Sequence, residues 1–220
     1  MLDSAAESMR LWSPHLVPGL LQTTPYTLAA IKSRTPSLPD EEAGRRMQTR
    51  MRRSERFLRR LAAPAGPDSP HAYFIMGEAA LTRCVTTRQF HAHQLEHLLH
   101  VVDTHPRIRL RVLPDDASVA GTMEPFSVHA LADGPRVGHL ETIVGGWYTT
   151  RAEDVTRLYS AFGLLGTSAL EPDATRRVIQ ECLNSFMTST GTESHTSSRP
   201  TVTPTTASTL PARRELPPSP

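Results

Sequence analysis

The chain has 220 residues, with 24 Lys and Arg against 22 Asp and Glu and 38% hydrophobic residues. That length allows one ordinary domain with a buried core, and a formal charge of +2 is too small to require a nucleic acid or a membrane surface as partner. No run approaches the roughly 20 apolar residues of a membrane-spanning helix. The two cysteines, Cys84 and Cys182, stand far apart and in no metal-ligand spacing, and the acidic start lacks a signal-peptide pattern. Both features fit free thiols in a cytoplasmic protein. Lys32 is the one lysine among the 24 basic residues, a bias that fits GC-rich codon usage, so arginine content alone is not evidence of function.

In chain order, residues 3–12 read as a short helix, after which Pro14 and Pro18-Gly19 turn the chain. Leu16, Val17, Leu20 and Leu21 then form an apolar knot that must be buried. Thr24-Pro25 predicts the start of a second helix, and Asp40-Glu41-Glu42 the start of a third. In the third, Met47, Met51, Leu58 and Leu61 recur at helical spacing, with Phe57 flanking them. Arg45, Arg46, Arg50, Arg52, Arg53, Arg56, Arg59 and Arg60 surround them. Such a face is most simply a solvated one with its aliphatic stems lying over the apolar stripe. It also suits an acidic protein partner or the phosphates of DNA.

Residues 71–144 read as the centre of the fold. Tyr73-Phe74-Ile75-Met76 predicts a strand, residues 89–102 a helix, and residues 107–113 a second strand with Ile108, Leu110 and Val112 on its apolar side. That order fits a βαβ unit with parallel strands. His93, His97 and His100 share the outer face of the helix, but without a further ligand or a glutamate at metalloprotease spacing they predict a polar face and no metal. Asp133-Gly134 predicts a hairpin turn that sets Phe126, Val128 and Ala130 opposite Glu141, His139 and Val137. This places His139 and Glu141 on an apolar face, where they need hydrogen-bond partners or a pocket. Glu78, at the end of the first strand, is expected near the same edge.

After the hairpin, Gly145-Gly146 is expected to break the last strand and let Trp147-Tyr148 turn back over the sheet. Thr150 and Glu153 form a capping box. Val155, Leu158, Tyr159, Phe162 and Leu165 give the next helix an apolar stripe. Pro172 starts a last one striped by Val178, Ile179, Cys182, Leu183 and Phe186. The expected architecture is mixed α+β (α/β): a small central sheet of about four strands, a βαβ unit plus an antiparallel hairpin, covered by N- and C-terminal helices. Residues 1–187 form one domain, and residues 188–220, rich in Thr, Ser and Pro, form a disordered tail.

Several segments carry a family resemblance: Val17-Pro18-Gly19-Leu20-Leu21-Gln22-Thr23 followed by Tyr26, then Arg50-Met51-Arg52-Arg53, Gly77-Glu78-Ala79-Ala80-Leu81, Arg111-Val112-Leu113-Pro114 and Leu140-Glu141-Thr142. In this order they resemble the actinobacterial domain of unknown function found C-terminal to an Xre-type (Cro/C1-type) helix-turn-helix in antitoxin-like transcriptional regulators. The chain departs from that pattern at Thr27-Leu28, where the family has Ala-Arg, and at Ser54, where it has Gln. The helix-turn-helix itself lies outside these 220 residues. The resemblance implies a non-catalytic regulatory domain that senses a ligand, forms a homodimer or docks a small acidic protein encoded nearby, with DNA contacted only through the missing helix-turn-helix. It implies no cofactor. Arg50, Arg53, Glu78, His139 and Glu141 are the candidate ligand or partner contacts. The alternatives are a small-molecule enzyme using Glu78, His139 and Glu141, or direct DNA binding through the arginine helix.

Overall fold

The computed structural model describes residues 6–62, 70–117, 124–132, 134–142 and 145–188. Six strands, β1 (Ala6–Ser13), β2 (His71–Gly77), β3 (Ile108–Leu113), β4 (Phe126–Leu131), β5 (Val137–Thr142) and β6 (Gly145–Thr149), form one mixed sheet in the order β3-β2-β1-β4-β5-β6. Six helices accompany it: α1 (Thr24–Arg34), α2 (Asp40–Ala62), α3 (Ala79–Thr82), α4 (Arg88–Thr104), α5 (Ala152–Ser168) and α6 (Pro172–Thr188). A single 3-10 turn covers Gly19–Leu21. Of the expected tail, residues 188–220, Thr188 is the last residue of α6 and residues 189–220 lie outside the described residues.

The sheet has six strands where about four were expected, and both additions have physical causes. Of residues 3–12, expected as helix, those from Ala6 onward belong to β1, which occupies the middle of the sheet. It runs parallel to β2, with Leu11 beside Phe74, and antiparallel to β4, with Trp12 beside Phe126. Ala, Glu, Met, Arg and Leu favour helix by well under 1 kcal/mol each. A strand hydrogen-bonded on both edges and buried on both faces outweighs that preference. Met9 turns to one core and Trp12 to the other, 2% and 4% exposed. Arg10 shares the Trp12 side and lies over the rings of Tyr73 and Tyr159, 5.0 and 4.4 Å from their centroids, so its charge meets π-faces. The second addition is β6. Trp147 and Tyr148 do not fold back over the sheet but extend it, pairing with Leu140 and His139 of β5.

The βαβ reading of β2 and β3 matches the observed parallel pairing, with Phe74 beside Leu110 and Met76 beside Val112. One face of β1, β2 and β3 carries the larger core. Met9, Phe74, Met76, Leu110 and Val112 meet the 3-10 turn, Tyr26 of α1, Phe57 and Leu61 of α2, Leu95 and Leu98 of α4, and Ile179, Leu183 and Phe186 of α6. The other face packs against α5, where Phe162 and Leu165 cover Trp12, Ile75 and Phe126. Each large side chain removed from water in this way contributes about 1.5–3 kcal/mol. The expected Thr150 capping box is not formed: Arg151 is the N-cap of α5 and makes no side-chain cap hydrogen bond, while Thr149 Oγ1 accepts from Arg151 N at 3.2 Å and donates to Asp154 at 3.1 Å. Of the arginines expected on the wet side of β3, Arg109 is exposed, whereas Arg107 is buried and donates to the carbonyls of Leu61 and Arg60. It thereby satisfies the free C-terminal end of α2.

The hairpin register differs from the expected one by a single residue. Phe126 pairs with Leu140, Ser127 with His139, Val128 with Gly138 and His129 with Val137. A two-residue turn would have set Phe126 against Glu141; instead five residues, 132–136, separate β4 from β5, and Asp133 among them lies outside the described residues. Because side chains alternate faces, this shift moves the whole set across the sheet. His139 and Glu141 therefore leave the face of Phe126 and Val128 and join that of Ser127 and His129.

Gly77 ends β2 where the chain passes under Pro14, and a Cβ there would overlap the Pro14 carbonyl oxygen. Gly163, within α5, has no atom within 4 Å of a Cβ position. Chemical denaturation is expected to show Gly77→Ala destabilised by about 1–3 kcal/mol, and Gly163→Ala neutral or stabilised by up to about 1 kcal/mol.

Candidate functional site

The segment Val17 to Thr23 makes a buried corner, and a corner buries backbone groups that no helix or strand partner can reach. Leu21 N donates to Pro18 O at 2.8 Å, closing the 3-10 turn. Side chains from three helices supply the rest. Val17 N donates to the Tyr26 hydroxyl of α1 at 3.3 Å. Ser54 Oγ of α2 donates to Leu20 O at 2.6 Å. Gln94 of α4 donates to Leu21 O at 2.8 Å and accepts from Thr23 N at 2.7 Å. Gln22, 4% exposed, donates to Val17 O at 2.7 Å and receives Thr27 Oγ1 and Arg50 Nη1, each at 3.2 Å. Thr27 and Ser54 thus supply hydrogen-bond donors to the corner. Burial pushes the Tyr26 hydroxyl up to about 12, its hydrogen bond to Val17 acting the other way.

Arg50 links this corner to the polar half of the sheet. Burial pulls its guanidinium below the usual arginine range; Glu141 opposes that, and Arg53 and Arg34 add to it. The four charges therefore lie close together, where α1 and α2 meet β5. Arg34 Nη1, at the end of α1, donates to Glu141 Oε1 at 2.5 Å, and its Nη2 donates to Thr142 O at 3.2 Å. Both side chains of this pair are about two-fifths exposed, so the bridge contributes at most about 1 kcal/mol. On the same sheet face, His139 stacks on Tyr148 at 4.4 Å, and Ser127 Oγ and His129 Nε2 lie 2.9 Å apart, both residues buried.

Of the five candidates read from the sequence, Arg50, Arg53, His139 and Glu141 come together here and Glu78 does not. Glu78 follows directly after β2, a strand three spacings or about 14 Å from β5, and accepts from Asp115 N at 3.1 Å. The trio Glu78, His139 and Glu141 is thus not within mutual hydrogen-bond reach. The histidines of α4 make no cage either: among the described residues no group of three or more His, Cys, Asp or Glu is placed to hold a metal ion. A cavity of about 360 Å³ lies at the opposite edge of the sheet, lined by Ile108, Leu110, Arg109 and Thr175 among others, away from the charge cluster. Sequence reasoning missed Arg34, Gln22 and Gln94. Gln94 left a signal, because it interrupts the apolar face of α4 one residue before Leu95, where a polar side chain must find a buried partner.

The family model described as a domain of unknown function, DUF5753, matches residues 1–181. No curated protein and no solved structure matches the chain.

Gln94→Ala removes two ties to the corner and is expected to cost about 2–4 kcal/mol in denaturant unfolding, whereas Glu141→Ala should cost under about 1 kcal/mol. Acid sensitivity supplies a second prediction. Burial holds His91, His97 and His105 below the usual histidine range, so near and below the unfolded value of about 6.5 the unfolded chain binds more protons. Their contribution is fully present above that pH and is lost as pH falls through it toward the folded values. The melting temperature should fall between about pH 7.5 and 5.5, and less so in His91→Phe, which keeps a ring against Tyr26 and Phe186. An equal drop in both proteins would contradict the assignment to His91.

Proposed function

The chain belongs to the DUF5753 family, and we propose that it is the non-catalytic regulatory domain of an antitoxin-like, Xre-family transcriptional regulator, docking a small acidic protein along α2. The carrying observation is the uneven charge on that helix. In its first half, Arg45 pairs with Glu41 and Glu42, and Arg46 with Glu42. In its second half, Arg52, Arg56 and Arg59 stand exposed at helical spacing, and Arg56 and Arg59 have no ion-pair partner among the described residues. A row of exposed guanidiniums gives an acidic partner both steering and bidentate contacts.

Within this reading the candidates divide by role. Arg50 is half-buried and tied to Gln22, so it holds α2 in place. Arg53, exposed on the same helix, borders the docking face, while Glu141 and His139 stay on β5, held by Arg34 and by stacking on Tyr148. DNA would reach the domain's complex through a helix-turn-helix beyond these residues. The same arginine row also supports direct DNA binding as a second reading, because phosphates would take the same guanidiniums.

Titration calorimetry with the small acidic protein encoded beside this chain separates the readings. Affinity should fall with added salt, and Arg52→Glu/Arg56→Glu/Arg59→Glu should weaken it more than about tenfold, equal to about 1.4 kcal/mol, without loss of folding. Unchanged affinity in the triple variant would overturn the docking face. Tight binding of duplex DNA with a steep salt slope would favour the second reading instead.

A further inference from the structure

The two edges of the sheet are finished differently. Exposed strand edges offer unpaired N–H and C=O groups, and proteins blunt them with charges, proline, bulges or a covering segment. The β3 edge is covered: Leu170 N donates to Val112 O at 2.8 Å, Val112 N donates to Thr175 Oγ1 at 3.1 Å, and Arg111 donates to the carbonyls of Leu170 and Ala169. Among the described residues, the β6 edge has none of these devices. Gly145, Gly146, Trp147, Tyr148 and Thr149 include no charge and no proline, their register against β5 is regular, and no described strand lies beyond them. Trp147 and Tyr148 are 53% and 59% exposed.

Trp147 also terminates an apolar row that crosses the sheet. Ile75, Trp12, Phe126, Leu140 and Trp147 are successive cross-strand neighbours on one face. Exposure along the row is 2% at Ile75, 4% at Trp12 and 3% at Phe126, and reaches 53% at Trp147. The row runs from the smaller core to the open edge and stops in solvent.

We propose that the β6 edge pairs with the β6 edge of a second copy of this chain, antiparallel about a two-fold axis through Trp147, joining two six-stranded sheets into one. The occupant follows from self-complementarity. Pairing centred on Trp147 sets the two tryptophans side by side, so the apolar row continues into the second copy. Each Tyr148 then faces a Gly146, so the two tyrosine rings do not collide, and each Gly145 faces a Thr149. With no charged residue in the strand, the axis brings no like charges together. Such an isologous contact is the commonest route to a closed dimer. An edge of five residues makes a small interface, so the dimer is concentration-dependent. This inference is independent of the docking role proposed for α2.

Sedimentation of the full chain across a concentration series should show reversible dimerisation, and Trp147→Lys should abolish it while leaving the circular dichroism spectrum unchanged. Residues on the axis lie about 4.5–5.5 Å apart across antiparallel strands, within disulfide range. In a background with Cys84→Ser and Cys182→Ala, Trp147→Cys should therefore oxidise to a covalent dimer, and Thr149→Cys, displaced from the axis, should not. A chain that stays monomeric at every concentration would overturn the proposal. A dimer that survives Trp147→Lys, or one that cross-links through Thr149→Cys and not Trp147→Cys, would do the same.

Discussion

Buried backbone at the corner Val17 to Thr23 is the constraint on which the rest of the structure depends. A turn this deep leaves carbonyl and amide groups away from water, and an unmatched one costs about 1–3 kcal/mol. Tyr26, Ser54 and Gln94 each satisfy a different group from a different helix, so α1, α2 and α4 are positioned by hydrogen bonds with directions as well as by the apolar contact of Leu20 and Leu21. Gln22 extends the arrangement outward to Arg50, and Arg50 carries it to the charges around Glu141. The polar cluster at the end of the sheet is thus set by the same corner that closes the core.

The helices from residue 24 onward and the apolar side of β3 were legible because the apolar period is strong there. The stripe of α5, with Val155, Phe162 and Leu165 buried, and that of α6, with Ile179, Leu183 and Phe186 buried, lie as their spacing indicates. β1 was not legible because its residues favour helix locally, and its partners β2 and β4 lie more than fifty residues away in sequence. Only their pairing makes an extended conformation the better one. The hairpin shows how narrow such readings are: a one-residue shift in the pairing of β4 with β5 transfers His139 and Glu141 to the opposite face.

The candidate site was legible in part, for a related reason. Arg50, Arg53, His139 and Glu141 were singled out as residue types that need partners, and the fold brings their elements together. Glu78 had the same chemistry but sits on the far side of β1 and β4, a separation that strand order alone decides. Arg34 gave no sign in the sequence, since an arginine in the last turn of a helix already has a local explanation in the helix dipole. Gln94 did, as a polar residue on an apolar face.

The place of the corner at the centre of the fold is open to direct measurement by native-state hydrogen exchange at two amides outside any helix or strand, Val17 and Thr23. If the corner is the hub, both exchange only through global unfolding, as slowly as the amides of β1 and β2. Exchange at the rate of an exposed loop would contradict it.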